Sequence, residues 1–177
     1  MDQFKKWAKK EYPLRSRLIG TLAAGLFFVI LLPLMLVSLG PMLDRSILLV
    51  LPDLGLWPVL IGSALILAGG FFALWSIGDQ LLHARGTPLP MMATQELLVS
   101  GPFKMSRNPM SFGTILLYLG LGIAITSPGA IMITLVLFVL LLTYIKRIEE
   151  KELEVRFGQS YLEYKGKTPF LFPRFFR

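Results

Sequence analysis

Apolar residues in this chain fall in long uncharged runs rather than in alternating or heptad stripes. Leu18–Leu43, Leu54–Gly78 and Asn108–Ile145 hold 26, 25 and 38 residues without one Asp, Glu, Lys or Arg. Each exceeds the roughly 18–20 residues with which a helix crosses a hydrocarbon core about 30 Å thick. The third is too long for one crossing, since at about 1.5 Å per residue it would reach about 57 Å. Ser127-Pro128-Gly129 near its middle is turn chemistry, because proline lacks a donor and glycine permits positive φ. It divides the run into Pro109–Thr126 and Ala130–Ile145, a tight helical hairpin. With Leu18–Leu39 and Trp57–Ile77 this predicts four spans in an all-α, polytopic transmembrane bundle, followed by a cytoplasmic C-terminal helix. Ser46–Leu51 is too short to cross and is broken by Pro52, which predicts an interfacial turn.

Composition agrees and narrows the class. Of 177 residues, 54% are hydrophobic and 16% charged, against about 25% charged in an ordinary soluble domain. There is no cysteine and only one histidine, which excludes disulfides, thiolate chemistry and a histidine-cluster metal site. The net charge of +7 could suggest nucleic acid, but the lysines and arginines flank the spans. Six precede the first span, three lie between the second and third, and eight follow the fourth. Only Arg45 falls on the other side, so 17 of 18 share one face and predict both termini in the cytoplasm. Anionic membrane lipids, with no nucleic acid, are the expected partners of this charge. Residues 1–17, with Phe4, Trp7 and Tyr12 among lysines, read as an interfacial amphipathic lead-in, not a cleavable signal peptide. The chain is expected to form one integral membrane domain, 1–177, with scaffold spans in 1–78 and the functional core in 79–177.

The threading brings three cytoplasmic segments together: the loop Asp79–Met110, the segment Lys146–Gly158 and the tail to Arg177. A loop of this length in so small a protein points to function rather than mere connection. Asn108-Pro109 is a helix start, placing Arg107 beside free N–H groups that favour an anion. Beyond the fourth span, Lys146–Phe157 continues as helix, with Ile148 and Val155 on one apolar stripe and Leu153 and Phe157 on another, and with Gly158 as its C-cap. Glu152 and Arg156 form an i,i+4 pair, whereas Glu150 and Glu154 repel. Glu149 and Glu150 lie about 100° apart on an α-helix, so at most one is expected to point squarely into a given pocket. His83 reads as a surface residue. Gly20, Ala24, Gly62, Gly69 and Gly70 suit close helix packing, and so does Gly120-Leu121-Gly122, deep in the third span.

Four motifs occur in order: Gly86-Thr87-Pro88-Leu89-Pro90; Leu98-Val99-Ser100-Gly101-Pro102-Phe103; Arg107, Pro109 and Gly113; and Glu149, Glu150, Leu153, Phe157, Gly158, Tyr161 and Tyr164. Through them the chain resembles the isoprenylcysteine carboxyl methyltransferase and phospholipid methyltransferase superfamily of integral membrane enzymes, from about Gly86 to Pro173. Asn108 stands where that family has histidine, and Ser111 where it has tyrosine. Asparagine keeps the hydrogen bonding but cannot shuttle a proton.

The resemblance implies S-adenosylmethionine as methyl donor, bound at the cytoplasmic face by Gln95, Glu96, Leu97, Leu98, Phe103, Asn108, Pro109, Met110, Ser111 and Glu149. It implies roles at the reacting groups for Arg107, Glu150 and Arg147, with Lys146 an alternative to Arg147 in orienting the substrate. The methyl acceptor is expected to be an amphiphile: an isoprenylcysteine carboxylate, a phospholipid amine, a small thiol or another lipid. A reductase related to the sterol reductases, which share motifs of this kind, and a non-enzymatic membrane subunit or small transporter are the other readings. Against a transporter, spans one to three carry no ionisable side chain for an ion path.

Overall fold

The computed structural model describes residues 13–47, 54–84 and 94–174. Most of the expected N-terminal lead-in, most of Ser46–Leu51 and the whole Gly86–Pro90 motif lie outside the described residues. The first span begins as α1 (Leu14–Gly25), passes through a π-helical stretch (Leu26–Leu31) and continues as α2 (Leu32–Ser46). Next come α3 (Trp57–His83), α4 (Pro109–Ala124) and α5 (Pro128–Tyr144). A second π-helical stretch (Ile145–Glu149) leads from α5 straight into α6 (Glu150–Phe157), and α7 (Gln159–Lys167) follows a turn at Gly158. Three continuous helices, Leu18–Ser46, Trp57–His83 and Pro128–Phe157, are long and apolar enough to span a membrane, and α4 is a shorter apolar helix. The molecule is an all-helical integral membrane protein, with α4 and α5 as the expected hairpin.

The first span runs past the predicted Leu39 to Ser46, through Pro41. Its last turn is held by a contact across the bundle. The Ser127 hydroxyl donates to Asp44 Oδ2 at 2.5 Å, and the Gly129 amide donates to Asp44 Oδ1 at 2.7 Å. Ser127 Oγ also accepts from the Ala130 amide at 3.1 Å, the N-cap bond of α5. Asp44 thus satisfies helix-end donors that the turn would otherwise leave open.

The π-helical stretch in the first span follows from Pro33. Leu32 N–H bonds back to the Phe27 carbonyl, five residues earlier. The Phe28 carbonyl then loses its α-helical partner, and its π-helical partner would be Pro33, which has no N–H. The Tyr118 hydroxyl takes that place, donating to Phe28 O at 2.5 Å. Tyr118, Leu32 and Leu36 form the buried core around this bond.

α3 and α4 are joined backbone to backbone through glycine. A Cβ on Gly69 would lie 2.4 Å from the Gly113 carbonyl oxygen, and one on Gly62 2.5 Å from that of Gly120. One on Gly122 would lie 2.8 Å from Ile131. Gly120-Leu121-Gly122 therefore serves packing, as small residues do between membrane helices. α2 packs on α5 and α4, whereas among the described residues α1 has no extensive packing against another helix. The first span is seated by its far half, and its near half, with Ala24 buried, borders a cavity.

Tyr118→Phe removes the hydroxyl and strands the Phe28 carbonyl. It should lower stability by about 1–3 kcal/mol, read as a drop in melting temperature in detergent. An unchanged melting temperature would mean that the Phe28 carbonyl does not depend on Tyr118.

Candidate active site

The space beside α1 is a cavity of about 350 Å³, at the small end of the range of ligand pockets. α1 and the stretch after it supply Thr21, Ala24, Gly25, Phe28 and Val29 as one wall. Leu74, Ile77 and Gln80 come from α3, and Asn108–Ser111 and Thr114 from the start of α4. The long last helix contributes Leu141, Ile145, Glu149, Glu150 and Leu153. Both glutamates face the cavity, contrary to expectation for an α-helix. The reason is the π-helical stretch: its i→i+5 bonds lengthen the turn by one residue, bringing 149 and 150 together under Ile145. The same turn leaves Lys146, Arg147 and Ile148 exposed.

Glu150 is the best-held charge in the site. Its Oε1 accepts from Arg107 Nη1, and its Oε2 pairs with Lys165 Nζ at 2.8 Å. Lys165 also reaches Glu154 Oε1 at 2.9 Å. The like-charge pair read from the sequence is therefore bridged by a lysine from α7. The hydrogen bonds to Glu150 and then Glu154 raise the Lys165 pKa, so its stabilising contribution is complete below the ordinary lysine range and fades as pH climbs through the raised value. Glu152 and Arg156 form the expected i,i+4 pair at 3.7 Å. The buried residues of α6 are thus Glu150 and Glu152 rather than the apolar stripes, because each carboxylate has a cation beside it. Glu149 makes no ion pair among the described residues.

The C-terminal segment lies along the loop before α4 and fixes it. Arg107 N–H donates to Pro169 O at 2.9 Å, Ser106 Oγ to Leu171 O at 2.8 Å, and Arg174 N–H to Met105 O at 3.0 Å. Asn108 Nδ2 donates to Phe170 O at 2.9 Å. That bond spends the asparagine side chain on the tail. It makes no capping bond to α4, which leaves the first amides of that helix without a side-chain cap at Met110 and Ser111, two residues that line the cavity. The Phe170 ring carries the Arg107 guanidinium at 5.5 Å and Lys146 Nζ at 5.0 Å from its centroid. Tyr164 donates its hydroxyl to Phe103 O at 2.6 Å. Burial pushes the Tyr161 hydroxyl up to about 12 and raises that of Tyr164 as well, so both remain neutral donors at physiological pH.

Of the residues expected at the site, Arg107, Glu150, Glu149, Leu97, Leu98, Phe103, Asn108, Pro109, Met110 and Ser111 line this one cavity. Gln95 and Glu96 do not. Their amides both donate to the Ala84 carbonyl, at 3.0 and 3.2 Å, which turns the chain at the end of α3. Arg147 is exposed and does not line the cavity, since it lies on the far side of the π-helical turn. Sequence reasoning missed Gln80, whose buried Oε1 has no hydrogen-bond partner among the described residues, and Lys165. Gln80 was detectable as an amide polar group two residues past the end of an uncharged run. Lys165 was not, because its partners lie on another helix.

In this cavity α4 amides favour an anion, Glu149 favours a cation, and leucine and phenylalanine side chains offer flat apolar surface. Residues 57–160, more than half of the chain, match the phospholipid methyltransferase family. The chain belongs to that family. It is a membrane methyltransferase that uses S-adenosylmethionine and acts on lipid. No individual curated protein matches it. The donor set fits the cofactor: an open helix start for a carboxylate, an unpaired carboxylate for an ammonium, and an unpartnered amide oxygen on Gln80.

Glu150→Leu leaves the Arg107 guanidinium buried without its carboxylate and should destabilise the enzyme by about 3–5 kcal/mol. The double variant Arg107→Met/Glu150→Leu should recover most of that loss. Additive losses in thermal unfolding would contradict the pairing.

Proposed function

We propose that the enzyme methylates the polar head of a lipid that enters from the bilayer while its hydrocarbon remains in the membrane. The observation that carries this is the make-up of the cavity beside α1. One end presents Arg107, Glu149 and the start of α4, and the other is walled by Phe28, Val29, Leu74 and Leu141 from membrane-spanning helices. S-adenosylmethionine supplies a methyl group already activated on sulfonium. The chain's task is to bind, align and exclude water.

In this reading the amides of Met110 and Ser111 hold the cofactor carboxylate, and Glu149 holds its ammonium. Leu97, Leu98 and Phe103 lie against the adenosyl group, with Gln80 Oε1 accepting from a bound N–H or O–H. Glu150 acts through Arg107 as a positioning residue, for both its oxygens are already engaged. Lys146 and the exposed Arg147 meet the anionic part of the lipid head at the mouth. A phospholipid amine suits the pocket better than a carboxylate, because the charge of Arg107 is already countered and Glu149 adds a negative charge. An isoprenylcysteine carboxylate is the second acceptor class. The end of the bundle that carries Arg107 and Lys165 faces the cytoplasm in this reading, on the strength of the 17 of 18 basic residues that the sequence assigns to one side of the spans.

Titration calorimetry with S-adenosylmethionine in detergent tests the cofactor assignment. Glu149→Ala should weaken binding by about tenfold to a hundredfold, the worth of a charged hydrogen bond. Undiminished binding by the variant would remove Glu149 from the site.

A further inference from the structure

Nothing among the described residues requires glycine at position 25. Its φ and ψ are −57° and −49°, ordinary helical values open to any L residue. Glycine there is less favourable than alanine by about 0.8–1.0 kcal/mol. At Gly40, Gly62, Gly69, Gly113 and Gly120 a Cβ would meet a neighbouring helix at 2.4–2.6 Å, whereas at Gly70 it would reach only a Leu117 side chain at 4.0 Å. At Gly25 it would meet nothing within 4 Å. Gly78 is equally open, but it does not line the cavity, whereas Gly25 does.

The surroundings say what uses the space. Val29, one turn further along the same wall, and Leu74, across from it on α3, both line the cavity, yet are 72% and 71% exposed. Among the described residues they stand as the rim of an opening between the first span and α3, which make no extensive contact with each other. An opening with that rim faces hydrocarbon. With about 350 Å³ inside, the cofactor and a lipid head leave no room for acyl chains, which must pass out through the gap.

We propose that Gly25 is a specificity-determining residue, keeping open a slot in which a hydrocarbon chain of the methyl acceptor lies between α1 and α3. This rests on the lipid-acceptor reading above and adds which part of the acceptor is recognised, where, and by what. The slot selects for chain rather than for headgroup. A Cβ at position 25 meets nothing within 4 Å among the described residues, so substitution there narrows the slot and shuts out long-chain acceptors while the fold is kept.

The test is a graded series, Gly25→Ala, Gly25→Val and Gly25→Leu, in the full-length enzyme. Transfer of labelled methyl is measured to phosphatidylethanolamines carrying hexanoyl or oleoyl chains, alongside cofactor binding. With cofactor binding unchanged, kcat/KM for the oleoyl lipid should fall in the order of side-chain size, by about tenfold or more at leucine. The hexanoyl lipid should change by less than about twofold, well under the effect of one misplaced methylene. Equal losses for both lipids, or no loss for either, would overturn the slot. If the wild type binds cofactor but methylates neither lipid, the amine-lipid acceptor fails. The slot is then judged by a phospholipid bearing a diazirine on its acyl chain. Photolabelling of residues 18–31 that disappears in Gly25→Leu supports it, and labelling that is absent, or that persists in the variant, overturns it.

Discussion

A carboxylate buried at the membrane end of a helix is tolerable only when cations meet it, and Glu150 is buried there. Arg107 and Lys165 meet its two oxygens from opposite directions in the sequence, one ahead of α4 and one on α7. That requirement ties together segments which apolar packing alone would leave independent. Once Arg107 is drawn to Glu150, its backbone N–H is bound by Pro169, and the tail follows across Ser106 and Asn108. The amide of Asn108 is consumed in the same arrangement, which frees the start of α4 to face the cavity. The polar end of the active site is thus a consequence of neutralising one buried charge.

The apolar end depends on two departures from regular α-helix. Around Leu26–Leu31, Pro33 denies a donor to the first span, and Tyr118 repairs the loss from α4. Around Ile145–Glu149, a wider turn rotates two neighbouring glutamates onto one face. The first lies where the first span borders the cavity, with Phe28 and Val29 in its wall. The second lets Glu150 anchor the fold while Glu149 stays available to a ligand. Extra residues of this kind recur at functional positions in helices because they re-aim side chains without breaking the helix.

Much of this was legible in the sequence, and the reasons are local. The uncharged runs revealed the spans, Ser127-Pro128-Gly129 revealed the hairpin, and Glu152 with Arg156 revealed a helical pair that is present. The motif residues Arg107, Asn108, Glu149 and Glu150 were placed at one mouth, where they lie. What escaped was long-range or depended on a single inserted residue. Asp44 at the end of α5 and Lys165 between Glu150 and Glu154 are contacts between separate helices, invisible to spacing. A π-helical turn shifts register by one position, which an apolar run with no polar stripe cannot record. So the geometry that places both glutamates in the cavity had no sequence signal, and the strict α-helical expectation of only one failed. Motif position points to Gln95 and Glu96 as site residues, whereas their backbone amides serve the turn after α3.

The account turns on one cavity receiving the cofactor between the start of α4 and Glu149 while Arg107 stays paired with Glu150. An experimental structure with S-adenosylhomocysteine bound tests it most directly. The account predicts the amino-acid end of the ligand between the Met110 and Ser111 amides and Glu149, with the Arg107–Glu150–Lys165 cluster intact. Ligand bound instead against Gly120-Leu121-Gly122, or a cluster broken to admit it, would contradict the account.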